Sequence, residues 1–294
     1  MEILDGKKVS NQIKEEIATE VAKMKANGEK VPHLAAIIVG NDGASLTYVG
    51  SKVRSCERVG FESTLIQMPS TTSEQELLKK IKELNVNEDI DGFIVQLPLP
   101  EQIDTQKVIM AVHPDKDVDG FHPTNFGKMA LDMSTFIPAT PFGILELLER
   151  YKVDTKGKHT VVIGRSHIVG RPMSILMGRK GWPGNSTVTL THSHTKNITQ
   201  IISQADIVIS ALGVPKFLKA EMVKDDAVVI DVGITRVPDD TRPKGYYITG
   251  DVDFENVSKK ASFITPVPGG VGPMTIAMLL KNTLLARELH RLRE

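Results

Sequence analysis

The chain has a single cysteine, Cys56, so no internal disulfide can form and a scaffold stapled by cross-links is excluded. It has no excess of either charge: 36 Lys and Arg stand against 36 Asp and Glu, a formal net charge of zero. That removes the electrostatic ground for nucleic acid or an anionic membrane surface as main partner. Long apolar runs are missing too. Stretches such as Leu34–Val39 fall far short of the ~20 residues that span a bilayer. The opening segment MEILDGKKVSNQIKEEI lacks the apolar core of a signal peptide and reads as a short strand running into a charged amphipathic helix. These absences predict a cytoplasmic protein with neither nucleic acid nor membrane among its partners. Internal repeats and low-complexity tracts are absent as well. Cys56 itself lies in a helical-looking stretch without any cysteine signature around it, and is read as a buried structural thiol.

What is present is an ordinary globular composition, 40% hydrophobic and 24% charged over 294 residues, enough for two domains with a core each. Short apolar runs alternate with helical patterns from end to end, the mark of βαβ units and mostly parallel sheets. In the first half, segments 34–40, 61–68 and 91–100 read as strands, with helices near 45–59, 73–84 and 104–111. Ser73 with Glu76 forms a capping box. The segment 113–132 is rich in turn residues and reads as an ordered loop, after which Pro138-Ala-Thr-Pro141 opens a helix over 142–151. A second βα series starts at HTVVIGRSHIVGRP (159–172), and a last long helix is expected over 275–293. The fold class is therefore α/β: two α/β domains with a cleft between them, the second a Rossmann-type dinucleotide-binding domain. The expected boundaries are 1–140 plus 275–294 for the first domain and 141–274 for the second.

In the second series, Gly164 ends a buried-type strand and Gly170 stands near the following helix start, so a backbone turn could seat a pyrophosphate against free helix N–H groups. The match to G-x-G-x-x-G is imperfect, since Ser166 replaces the second glycine. A dinucleotide domain usually carries an acid after its second strand. Here that strand ends in Thr191-His-Ser-His-Thr-Lys196, with no acid. Ser193, Lys196 and Arg165 suit a 2′-phosphate, which favours NADP over NAD. His192 and His194 lack further ligands at metal spacing, and no metal is expected.

In the first half, Tyr48 and Lys52 lie four apart and share one helix face, beyond the carboxyl end of a strand where open sheets collect ligands. A lysine in apolar surroundings there has its charged form disfavoured and can act as a base or proton donor. Read on spacing alone, the pair is better taken as a surface pair with no role. Gln96 stands at a strand end, stiffened by Pro98 and Pro100. Asp115-Lys-Asp-Val-Asp119-Gly imitates a calcium loop, but its twelfth position is Phe126 where a bidentate Glu is needed, and calcium is rejected. A fixed aspartate there suits the paired N–H groups of a heterocycle. PVPGGVGPMT (266–275) can lay backbone N–H groups against a flat ligand, or serve as a rigid hinge.

Taken together, Tyr48-x-x-x-Lys52, VQLPLP (95–100), DVDGFHP (117–123), PATPFG (138–143), GRSHIVGRP (164–172), THSHT (191–195) and PVPGGVGPMT resemble the bifunctional methylenetetrahydrofolate dehydrogenase/methenyltetrahydrofolate cyclohydrolase family, across nearly the whole chain. The resemblance implies NADP-dependent oxidation of 5,10-methylenetetrahydrofolate, then hydrolysis to 10-formyltetrahydrofolate, by a homodimer that takes tetrahydrofolate derivatives and serves purine biosynthesis. It implies Lys52 as the central catalytic group, Gln96 as its partner, Tyr48 beside the folate and Asp119 on the pterin, with Leu97, Pro268, Gly269 and Gly270 also on the substrate. It implies NADP contacts from Thr140, Gly164, Arg165, Ser166, Ile168, Val169, Gly170, His192, Ser193, Thr195, Gly213, Ile234, Gly272 and Thr275. Two departures stand out: Ala139 where members often carry cysteine, and a longer connection at 178–185. Two rivals are an NADP dehydrogenase of another small substrate and a non-catalytic nucleotide sensor.

Overall fold

A computed structural model describes residues 1–242 and 245–292. In chain order the first half contains β1 (Glu2–Ile3), α1 (Gly6–Ala26), β2 (His33–Val39), α2 (Gly43–Val59), β3 (Glu62–Met68), α3 (Glu74–Val86), β4 (Gly92–Val95), α4 (Thr105–Ala111), α5 (Pro123–Ala130) and α6 (Ala139–Arg150). The second half contains β5 (His159–Ile163), α7 (Gly170–Gly178), β6 (Thr187–Thr191), α8 (Ile198–Ile202), β7 (Ile207–Ser210) and β8 (Val228–Asp231). It closes with β9 (Thr235–Pro238), β10 (Tyr246–Thr249), α9 (Phe254–Val257), β11 (Phe263–Ile264) and α10 (Val271–Arg291). The expected last residue of the final helix, Arg293, lies outside the described residues. Among the described residues no helix is long and apolar enough to cross a membrane.

The chain divides into two compact units, one of Asn11–Ala139 with the chain from Ile276 onward, the other of Met1–Ser10 with Thr140–Thr275. Residues 1–10 are expected in the first domain. They group with the second because β1 pairs in parallel with β11, Glu2 opposite Phe263 and Ile3 opposite Ile264. Gly6, at the start of α1, has no room for a side chain: a Cβ there would lie 1.8 Å from the Gly270 carbonyl oxygen. Lys7 donates its N–H to Gly269 O at 2.9 Å.

In the 11–139 unit a three-stranded parallel sheet has the order β3-β2-β4. The apolar run of β2 is buried from Leu34 to Val39, as a central parallel strand covered on both faces requires. Leu77 and Ile81 of α3 and Val108 of α4 pack with Ile37, Phe93 and Val95 in one core. Helix starts are capped: Asp42 accepts from Ser45 N at 2.7 Å at α2, and Ser73 and Glu76 exchange both bonds of the capping box at α3. In the other unit a six-stranded parallel sheet has the order β1-β11-β8-β7-β5-β6, around a core that includes Val161, Ile163, Val208 and Val229. Counting from β5, the strands run 2-1-3-4-5, a doubly wound sheet.

Three expectations are corrected, and one element is new. The segment 113–132 is not all loop: a 3-10 turn spans Pro114–Lys116, and α5 follows, with the His122 ring accepting from Thr124 N and Pro123 in its first turn. Strand β4 stops at Val95 rather than running to residue 100, because Pro98 and Pro100 have no N–H to offer a ladder. Helix α10 starts at Val271, so half of the glycine-proline segment is its first turn. An antiparallel hairpin, β9 with β10, was not expected at all.

Gly92, the first residue of β4, makes room for Val118, since a Cβ at Gly92 would lie 2.2 Å from Val118 Cγ1. Gly92→Ala is expected to destabilise the protein by about 1–3 kcal/mol through overpacking. Adding Val118→Ala should recover part of that loss, as measured by chemical denaturation. Full additivity of the two substitutions would contradict the account.

Candidate active site

The carboxyl ends of β2 and β4 gather the polar residues of the 11–139 unit. Helix α2 follows β2 and carries Tyr48 and Lys52, and the Lys52 ammonium lies over the Tyr48 ring, 4.6 Å from its centroid. Lys52 Nζ donates to Gln96 Oε1 at 3.2 Å. Gln96 follows the last residue of β4; its backbone N–H still bonds Ile37 O at 2.8 Å and its side-chain amide donates to Leu97 O at 2.6 Å. The amide is therefore oriented with its carbonyl toward the lysine. Lys52 is only 5% exposed, and burial lowers its pKa, opposed by the negative charge of Asp119. Asp119 is half-buried; burial raises its pKa and the Lys52 ammonium pulls it back. No described residue donates a hydrogen bond to the Asp119 carboxylate, which leaves it available to a ligand. Leu97, Phe121 and Asp119 line one small cavity with Phe93. One turn beyond Lys52, Cys56 is 1% exposed and burial pushes its thiol up to about 12.

What holds Asp119 in place was not expected from the sequence. Asp117 accepts from His122 N at 2.7 Å, Asn125 Nδ2 at 2.9 Å and Phe121 N at 3.2 Å, which closes the turn around Asp119. Gly120 has a φ of 73°, and a Cβ there would lie 2.7 Å from Pro138 N, so only glycine fits this turn. Asn282 of α10 donates to Val118 O at 2.8 Å and to Ile137 O at 2.9 Å, pinning the same loop from the other side. The imitation of a calcium loop was the signal available. The acids in it serve the turn and the site instead.

In the 140–275 unit the sheet reverses between β5 and β7, and Gly164 sits at that point with φ 110°. A Cβ on Gly164 would lie 2.3 Å from Ala211 O, beyond the end of β7. A Cβ on Gly170 would lie 2.0 Å from Gly164 O, so this glycine lets the first turn of α7 close onto the strand end. That is the packing role of the last glycine in a dinucleotide turn, reached at a longer spacing. The Ser166 hydroxyl accepts from Val169 N at 3.2 Å and Gly170 N at 3.4 Å. Arg165 and Ile168 are exposed, and Val169 is buried. After β6, Thr195 Oγ1 accepts from His192 N at 2.9 Å, which folds the loop that exposes Ser193 and Lys196. Burial, then the neighbouring Arg165 and His194, lower the His192 pKa, which places the guanidinium close to this loop.

Gly213, with φ 72°, follows β7, and the exposed Ile234 follows β8. Ile234, Pro268, Gly269, Gly270 and Gly272 line a cavity of about 150 Å³. Thr140 and Thr275, on α6 and α10, share a hydrogen bond of 3.0 Å. Every residue expected on the nucleotide thus falls in this unit, in loops at strand ends or near helix starts.

Residues 4–119 match the tetrahydrofolate dehydrogenase/cyclohydrolase catalytic domain, and residues 138–291 match the NAD(P)-binding domain of the same family. The chain is 84% identical over 291 residues to the bifunctional protein FolD of Flavobacterium psychrophilum, covering 99% of each. The crystal structure of the bifunctional enzyme FolD from Campylobacter jejuni superimposes with a TM-score of 0.92 at 44% identity, with 99% of both chains covered. A methylenetetrahydrofolate dehydrogenase-cyclohydrolase from Trypanosoma brucei, complexed with NADP cofactor and inhibitor, gives a TM-score of 0.93 at 37% identity, covering 99% of this chain and 98% of that one.

Burial pushes Asp117 up to about 7 from its ordinary 3.8, outweighing the three hydrogen bonds it accepts. Between those values the folded chain keeps a proton that the unfolded chain has lost. The group's contribution to stability is therefore complete below about pH 4 and is lost as pH rises through about 7. Relative to Asp117→Asn, the natural protein should gain stability as pH is lowered from 7.5 toward 4, by at most about 4 kcal/mol. A difference that does not change with pH in urea titrations would sink this account.

Proposed function

Because the chain belongs to the tetrahydrofolate dehydrogenase/cyclohydrolase family, we propose that Tyr48, Lys52, Gln96 and Asp119 form its folate site and that the turn at Gly164 holds its cofactor, NADP. The enzyme is bifunctional. It oxidises 5,10-methylenetetrahydrofolate to 5,10-methenyltetrahydrofolate and then hydrolyses that product to 10-formyltetrahydrofolate. The observation that carries the assignment of residues is the buried Lys52 ammonium, held between the Gln96 amide and the Tyr48 ring.

The residues present fit NADP. The close approaches at Gly164 and Gly170 leave a side-chain-free backbone turn before α7, and Arg165, Ser193 and Lys196 offer donors for a 2′-phosphate with no carboxylate after β6 to repel it. NADP supplies the hydride acceptor when bound; the remaining work belongs to the chain. Thr140, Ile168, Val169, His192, Thr195, Gly213, Ile234, Gly272 and Thr275 complete the cofactor's surroundings, and Leu97 belongs with the folate residues of its own unit.

In the folate site Tyr48 packs beside the substrate and Asp119 accepts the amino and ring N–H groups of the pterin, as its unshared carboxylate allows. Oxidation leaves a cationic methenyl carbon. Water adds to that carbon and loses one proton; the second leaves the same oxygen as it becomes the formyl carbonyl, the bond from the carbon to N5 breaks, and N5 takes up one of the two protons. One proton is released overall. Burial disfavours the charged form of Lys52, so its neutral amine can take a proton from water and, as the ammonium, hand it to N5, with Gln96 Oε1 keeping the amine aimed. Cytoplasmic location, assembly as a homodimer and supply of one-carbon units to purine synthesis belong to the same reading.

Purified protein should reduce NADP in the presence of 5,10-methylenetetrahydrofolate, with little methenyl product accumulating, as followed by absorbance. Turnover with NAD alone would overturn the roles given to Arg165 and Ser193. Lys52→Met should lower methenyl hydrolysis by at least about 100-fold, the scale of general acid–base catalysis. Undiminished hydrolysis would remove Lys52 from that role. Asp119→Ala should weaken folate binding and slow both reactions, and unchanged folate affinity would count against its pterin contact.

A further inference from the structure

Two buried aspartates of the 140–275 unit take no part in the chemistry above. Asp231 ends β8 and is 3% exposed, and Asp251, just after β10, is 0% exposed. Between them lies the β9–β10 hairpin. Asp231 Oδ1 accepts from Gly233 N at 2.9 Å and from Asp251 N at 2.9 Å, and its Oδ2 accepts from Val252 N at 2.9 Å. Asp251 Oδ2 accepts from Leu212 N at 2.7 Å and Ser210 Oγ at 3.2 Å, and its Oδ1 from Val214 N at 2.9 Å. The two carboxylates thus reach over the ends of β7 and β8 and hold both loops that leave the sheet there.

The surrounding chain is fitted to these groups. A Cβ at Gly233 would lie 2.3 Å from Asp251 Oδ1, and one at Gly250 would lie 2.0 Å from Asp231 Oδ2. Each glycine therefore stands where one carboxylate needs the space. Thr265 Oγ1 accepts from Asp231 N at 2.7 Å and fixes the strand end itself. Two acids this close and this deep are an expensive way to bury backbone N–H groups. Burial, with the charge of Asp251 adding to it, pushes Asp231 up to about 6.

The residues so held are informative. Leu212 and Val214 flank Gly213, and Gly233 precedes Ile234; Gly213 and Ile234 are two of the positions given to the cofactor. We infer that Asp231 and Asp251 are positioning residues for NADP, which act by fixing the backbone of the 211–214 and 232–234 loops. The inference rests on the assignment of the Gly164 turn and its neighbouring loops to NADP.

The two activities separate this role from a merely structural one. Hydrolysis of methenyltetrahydrofolate supplied directly needs no NADP, whereas the oxidation does. Asp251→Asn turns an amide N–H₂ toward at least one donor that the carboxylate now accepts. It should raise the KM for NADP by about tenfold or more, lower the dehydrogenase kcat, and leave hydrolysis within about twofold of the natural enzyme. Asp231→Asn should act in the same direction. Ser210→Ala removes one donor to Asp251 without unpairing any backbone group, so it keeps the fold even if Asp251→Asn does not. It should raise the KM for NADP by about two- to fivefold.

A KM for NADP unchanged in folded Asp231→Asn and Ser210→Ala protein would overturn the inference. So would dehydrogenase and hydrolase activities that fall together in step with Tm. If the natural enzyme itself shows no NADP-dependent turnover, the assignment of the cofactor fails instead, and that result is read before any variant is made.

Discussion

A parallel sheet that adds strands first on one side and then on the other opens a gap at the carboxyl ends of the two strands where it turns back. Chain leaving one strand goes left, chain leaving its neighbour goes right, and no connection covers the space between. Both parallel sheets of this protein obey that constraint. In the three-stranded sheet the reversal lies between β2 and β4, and in the six-stranded sheet between β5 and β7. Lys52 and Gln96 stand at the first gap, and Gly164 stands against Ala211 at the second. The same topological rule thus supplies a polar pocket in one unit and a glycine turn in the other, and the chemistry differs because the side chains delivered to each gap differ.

Buried charge is handled in two opposite ways in this protein. In the 11–139 unit Lys52 and Asp119 feel one another's charge, and no described residue donates to the Asp119 carboxylate, so it keeps capacity for a ligand. The acids that stabilise loops are saturated instead. Asp117 takes three donors, and Asp231 and Asp251 take three each. A count of donors therefore distinguishes a carboxylate that builds a loop from one free to recognise a substrate. Cost follows the same division, because a saturated buried acid is paired by fixed backbone dipoles, while an unsaturated one is tolerated for what it binds.

The strand positions, the capping box at Ser73 and the Tyr48–Lys52 pairing were readable because each rests on local periodicity or spacing. Gln96 was readable as a strand end for the same reason. What stayed hidden depends on distant chain. Residues 2–3 join a sheet whose partner strand lies at 263–264, and nothing in the first ten residues announces that partner. Helix α5 begins with a histidine cap and carries Gly127, neither of which signals a helix. The hairpin strands have four residues each and bear mixed polar and apolar side chains. Asp231 and Asp251 look like ordinary strand-end acids until strands β9 and β10 pair and bring Gly233 and Gly250 under the two carboxylates. A glycine beside a strand-end acid was the signal available in both places.

Cys56 offers an unplanned reporter. It is the sole sulfhydryl of the chain, it is sealed within α2 a single turn from Lys52, and its thiol is held far from its reactive form. An alkylating reagent can capture it only when that helix transiently opens, so the labelling rate counts those openings. The natural chain, with nothing substituted, thus carries a chemical clock for the motions of the helix that bears its central lysine.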